Sequence, residues 1–114
     1  MIQQMPTRML TDGVISPTEY RKWAHARTRF ETRPKDAALL AQLLESIPVD
    51  GLREPITIGV DDRYHDVYVT DGHHRAIAVT ILDLPEFPFR WHWITSWGAV
   101  RMETRPFPYH LLDD

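Results

Sequence analysis

The stretch Asp71-Gly72-His73-His74-Arg75 constrains this chain more than any other. Before it stands Val67-Tyr68-Val69-Thr70, a β-branched and aromatic run that reads as a strand. After it stands Ala76-Ile77-Ala78-Val79-Thr80-Ile81-Leu82, which reads as a helix. A strand that turns on a glycine straight into a helix leaves the first helical N–H groups without intrahelical acceptors. The helix dipole adds partial positive charge at the same point, so the turn suits a phosphate or another anion. Arg75 supplies a forked cation, and His73 and His74 supply donors that change with pH.

The length, 114 residues, suits one compact domain over 1–114. The chain has no cysteine, which removes disulfides, thiol nucleophiles and thiolate metal sites and fits a reducing, cytoplasmic setting. No apolar run is long enough to span a bilayer, so no membrane partner is expected. Met1-Ile2-Gln3-Gln4-Met5-Pro6 lacks the basic start and apolar core of a secretory signal. A net charge of −3 argues against a general nucleic-acid binder. The charge is uneven, however: residues 1–35 carry seven Lys/Arg against three Asp/Glu, and residues 36–114 carry six against thirteen. Arg21, Lys22, Arg29, Arg33 and Lys35 are either a solvated helix face or a basic arm for nucleic acid, a phosphate or an acidic partner.

Ser16-Pro17-Thr18-Glu19 has the form of a capping box with proline in the first turn, predicting a basic helix over 16–31. Tyr20, Trp23, Ala24 and Phe30 are expected near one face, with Arg27 among them, and Arg21, Lys22, His25 and Arg29 toward solvent. A second helix is expected from Asp36 to Ile47, ended by Pro48. Strands are expected at Ile56–Val60, Val67–Thr70 and Phe89–Ile94. The first two are joined by the polar hairpin loop Asp61-Asp62-Arg63-Tyr64-His65-Asp66. Turn chemistry explains those aspartates more simply than metal ligation. Pro85 and Pro88 are expected to bracket a loop. His92, between Trp91 and Trp93, is expected on the opposite face from the tryptophans. The tail, 96–114, suggests a short strand at Ala99–Glu103 and then an extended arm.

From about 32 to 94 the order of elements resembles the ParB/sulfiredoxin-like domain. Ser46-Ile47-Pro48-Val49-Asp50-Gly51-Leu52-Arg53-Glu54-Pro55-Ile56 resembles that family's helix end and its Gly-Leu-x-x-Pro-Ile segment. Asp71-Gly72-His73-His74-Arg75-Ala76 resembles its phosphate-binding box, in the form found in a branch labelled ParB-like nuclease, and Arg33-Pro34-Lys35 echoes an upstream segment. The resemblance implies a small α/β (α+β) fold, a short mixed sheet packed with about three helices, and a helix N-terminus aimed at a nucleotide phosphate. Gly72 matches the box glycine and Arg75 its phosphate-contacting arginine. His74 matches the histidine of sulfiredoxins, while His73 stands where those proteins carry their nucleophilic cysteine and partition proteins a glutamate. Leu52 and Pro55 match the base-proximal segment. Sulfiredoxin chemistry is excluded without a cysteine, and the Trp- and Pro-rich stretch after the third helix is not expected to serve as the helix-turn-helix DNA reader that partition proteins carry there.

Nucleotide or phosphate binding is therefore expected at Gly72, His73, His74, Arg75, Leu52 and Pro55. If the domain is an enzyme, the reaction implied is magnesium-dependent hydrolysis of a nucleotide or phosphodiester, with His74 and Asp71 as the catalytic pair. Asp71 could instead hydrogen-bond a histidine, hold magnesium through water, or cap the helix, and capping is the commonest role for an Asp in that place. Adjacent histidines diverge by about 100° on a helix, so no protein-held metal site is expected from the pair. Two other functions stay open. One is a non-catalytic interaction or regulatory module of phage or mobile-element type. The other is a weak DNA-binding accessory acting through Arg21, Lys22 and Arg29.

Overall fold

The computed structural model describes residues 2–61, 63–95 and 101–112. Five strands form one mixed sheet: β1 (Gln3–Pro6), β2 (Ser16–Pro17), β3 (Ile56–Asp61), β4 (Val67–Asp71) and β5 (Glu86–Ile94). Their order is β1-β5-β3-β4-β2. The β1–β5 and β3–β4 pairs are antiparallel, and β3–β5 and β2–β4 are parallel. Among the described residues three α-helices accompany the sheet: α1 (Trp23–Thr32), α2 (Pro34–Asp50) and α3 (His73–Ile81). The expected small mixed sheet with three helices is what the chain forms.

β3 is the central strand, and Ile56 to Val60 are all buried, as a strand covered on both faces requires. Ile58, Val60, Val69, Phe89 and Trp91 join Ala76, Ile77 and Val79 of α3 in the core. Gly59 marks a close approach in β3. A methyl group there would stand 2.7 Å from Thr70 Cγ2 and 2.8 Å from Ile94 Cδ1.

Several expectations are corrected. Ser16-Pro17 does not start a helix but forms the edge strand β2 beside Tyr68 and Val69 of β4, where a proline is tolerated. The Ser16 hydroxyl, the expected cap, accepts from the Gly13 N–H at 3.4 Å, and the Thr18 hydroxyl donates to the Val69 carbonyl. α1 begins instead at Trp23, whose N–H donates to Asp12 Oδ1 at 2.8 Å. The buried face of α1 carries Ala26 and Phe30 rather than Ala24 and Arg27. α2 starts two residues early, with Pro34 in its first turn. It also continues through Pro48, which removes one backbone donor near the end of the helix without ending it. Gly51, at φ 74°, closes it.

Pro88 lies inside β5 rather than in a loop. Trp93 is 37% exposed although it shares a strand face with Trp91, and His92 on the other face is buried. Its Nε2 pairs with the Thr70 hydroxyl at 3.0 Å. The expected strand at Ala99–Glu103 falls partly outside the described residues. Of the described tail, Met102 bridges His92, and the buried Phe107 packs on Phe89 and Trp91 at 5.6 and 5.5 Å. The tail thus folds onto β1 and β5 rather than extending as an arm. Strand β1 was not legible, because in four residues only Met5 turns fully into the core.

Candidate functional site

Strand register assembles the site. The antiparallel pairing of Thr57 with Asp71 sets residues 54–55, just before β3, beside the turn that follows β4. The parallel pairing of β2 with β4 brings Thr18 to Tyr20 to the other side of that turn. α2 packs against α3 and supplies the far wall. The result is a cleft of about 710 Å³, and among the residues lining it are Tyr20, Phe30, Leu43, Leu52, Gly72 and Arg75.

Gly72 sits at φ 96°, ψ 33°, a left-handed conformation, and is the N-cap of α3. No side chain caps this helix, and its first turn holds no acidic residue. The first backbone bond runs from Ala76 N–H to the Gly72 carbonyl at 2.8 Å. The N–H groups of residues 73–75 therefore lack acceptors within the helix. The expectation that Asp71 caps is corrected: Asp71 ends β4, and its carboxylate accepts instead from Arg75 Nη2 at 3.5 Å.

The Arg75 side chain is 14% exposed and folds back over Gly72. Its Nη1 donates to the Pro55 carbonyl at 3.1 Å and to Glu54 Oε2 at 3.2 Å. The two histidines diverge, as their spacing predicts. His74 Nε2–H donates to Asp36 Oδ1 at 2.9 Å, and its ring lies flat on Phe30 with centroids 4.0 Å apart. His73 Nε2 accepts from the Thr18 N–H at 3.1 Å. Burial pushes the His73 pKa below its ordinary 6.5, and the charge of Glu19 opposes that shift.

The His73 shift has a consequence for stability. A histidine neutral in the fold and protonatable when unfolded stabilises the fold above pH 6.5, and that contribution is lost as pH falls from there toward the folded value. Thermal melts across pH 7.5 to 5 are expected to show Tm falling with acidification, and His73→Gln is expected to flatten that slope. An unchanged slope in the variant would assign the acid sensitivity elsewhere.

Of the residues singled out in the sequence, Leu52, Asp71, Gly72, His73, His74 and Arg75 line the cleft, and Pro55 enters it through its carbonyl. Arg21, Lys22 and Arg29 are exposed and stand outside the lining, whereas Arg33 is part of it. Asp36, Tyr20, Leu39 and Leu43 also line it. Their place was not legible, because Tyr20 arrives through the pairing of β2 with β4 and the others through the packing of α2 on α3, and no local pattern carries either. In the hairpin loop, Asp61 Oδ1 accepts from the N–H groups of Arg63 and Tyr64 at 2.8 and 3.1 Å. These bonds hold its carboxyl below the usual 3.8; Asp62 lies outside the described residues. Among the described residues no group of three or more His, Asp or Glu could hold a metal ion, and no helix is long and apolar enough to cross a membrane.

No family model matches the chain, and no curated protein does. Solved structures do resemble it. The chain superposes on sulfiredoxin from Arabidopsis thaliana with a TM-score of 0.54 and 23% identity, over 82% of this chain and 86% of that one. It superposes on the C-terminally truncated chromosome-partitioning protein ParB from Caulobacter crescentus, complexed with CTP-gamma-S, with a TM-score of 0.56 and 20% identity. That match covers 84% of this chain and 46% of the ParB chain. The chain has a ParB/sulfiredoxin-like fold.

Proposed function

We propose that the cleft binds the phosphate end of a nucleotide. One observation carries this: the Arg75 side chain, only 14% exposed, stands beside an uncapped helix N-terminus that lines a cleft of about 710 Å³. In the proposed complex the phosphate rests over Gly72 and the N–H groups of residues 73–75, with Arg75 alongside. Tyr20, Phe30, Leu39, Leu43 and Leu52 offer an apolar wall for the base. The CTP-gamma-S bound in the ParB neighbour supports the ligand class.

Hydrolysis is the finer proposal. With Nε2–H directed at Asp36, the basic nitrogen of His74 is Nδ1, an oriented-base arrangement suited to accepting a proton from water. Asp71 is held to Arg75 at 3.5 Å, which suits a positioning role more than proton transfer. Of the carboxylates lining the cleft, Asp36 is engaged by His74 and both Glu54 and Asp71 by Arg75, which leaves Glu19 too few partners to compose a magnesium centre. Magnesium in this proposal enters on the nucleotide's phosphates.

A thermal-shift panel tests the assignment, using inorganic phosphate, nucleosides and nucleoside triphosphates with and without magnesium. A ligand at one hundred times its Kd adds about 2.7 kcal/mol of stability, several degrees in Tm. Phosphates and nucleotides are expected to raise Tm and nucleosides to leave it nearly flat. A flat response to every phosphate contradicts the assignment and favours the interaction-module alternative. Exposed Arg21 and Lys22, just before α1, and Arg29 on it favour a second reading, nucleic-acid contact at that end of the chain. That contact would show as binding that weakens steeply with salt.

A further inference from the structure

Arg75 has three acceptors, and they differ in permanence. The Pro55 carbonyl is a part-buried backbone group at the start of β3. Glu54 and Asp71 are side chains 78% and 70% exposed, while the Arg75 side chain they hold is only 14% exposed. Exposed carboxylates are free to swing into water, and an exposed ion pair contributes little to stability. The backbone acceptor stays in place. We infer that Glu54 is a built-in competitor for the phosphate site, occupying Arg75 in the empty cleft and yielding to the incoming anion while Pro55 keeps the guanidinium aimed. This rests on the phosphate reading of the cleft and adds to it a residue that tunes affinity.

The chemistry is an exchange of anions on one cation. The guanidinium charge is balanced by Glu54 at 3.2 Å, with Asp71 more distant at 3.5 Å. A phosphate carries more charge than one carboxylate and also collects the N–H groups of the α3 N-terminus, which Glu54 does not reach in this structure. It therefore wins the exchange, but its measured affinity is lowered by the cost of expelling Glu54.

Isothermal titration of the full chain with inorganic phosphate and with CTP and ATP tests the inference. Three proteins are compared: wild type, Glu54→Gln, and Glu45→Gln. The last removes an equal charge from an exposed α2 position outside the cleft lining. Glu54→Gln keeps the side-chain shape at an exposed site, so the fold is retained. It is expected to tighten binding roughly two- to fivefold, the range set by a partly exposed ion pair, while Glu45→Gln changes it by less than about 1.5-fold. Binding by Glu54→Gln alone, with wild type too weak to measure, supports the inference more strongly. Equal or weaker binding by Glu54→Gln, or an equal gain in Glu45→Gln, overturns it and leaves the phosphate site standing. No binding by any of the three overturns both.

Discussion

Replacing Arg75 with glutamine is expected to weaken phosphate and nucleotide binding by roughly 10- to 100-fold, the worth of a charge-assisted hydrogen bond to an anion. The fold is expected to survive. The variant loses a bond to the Pro55 carbonyl and two exposed ion pairs, about 2–3 kcal/mol in all. Titration calorimetry gives the affinity and a thermal melt gives the stability. A variant that binds as tightly as wild type removes Arg75 from the site. A variant that does not fold makes Arg75 a structural anchor of the β3 start instead.

The second large effect is expected at Gly72. Alanine there meets two separate penalties. At φ 96° an L-residue is strained by about 1–2 kcal/mol. Its methyl would also stand 2.9 Å from Arg75 Nη2 and 3.1 Å from Cζ. The clash falls on the end of a long side chain, so the backbone holds and the guanidinium moves. Gly72→Ala is therefore expected to lower Tm by several degrees and to cost about 10-fold or more in phosphate affinity beyond what the stability loss explains. Full affinity in a folded Gly72→Ala protein would mean that the position of Arg75 above the turn does not matter.

How far the sequence led can be read at particular residues. The turn at Gly72 was legible because strand, glycine and helix signals are adjacent, and local rules govern all three. The β3–β4 hairpin was legible for the same reason. Ser16-Pro17 was misleading because two local meanings compete there, and pairing with β4, a partner about 50 residues away, decides between them. Pro48 misled more mildly, since a proline near a helix end removes only one bond. The Asp36–His74 contact and the closeness of Glu54 to Arg75 depend on helix packing and on strand register across the sheet. No local pattern carries either.

The central claim is that an anion binds at the free amide end of α3 beside Arg75. Amide NMR during titration with inorganic phosphate, then with the nucleotide that most raises Tm, tests it most directly. The largest shifts are expected at the N–H groups of Gly72, His73, His74 and Arg75, with smaller ones at Glu54 and Leu52. Saturating shifts confined to α1 or the hairpin loop, with residues 72–75 unmoved, would contradict it.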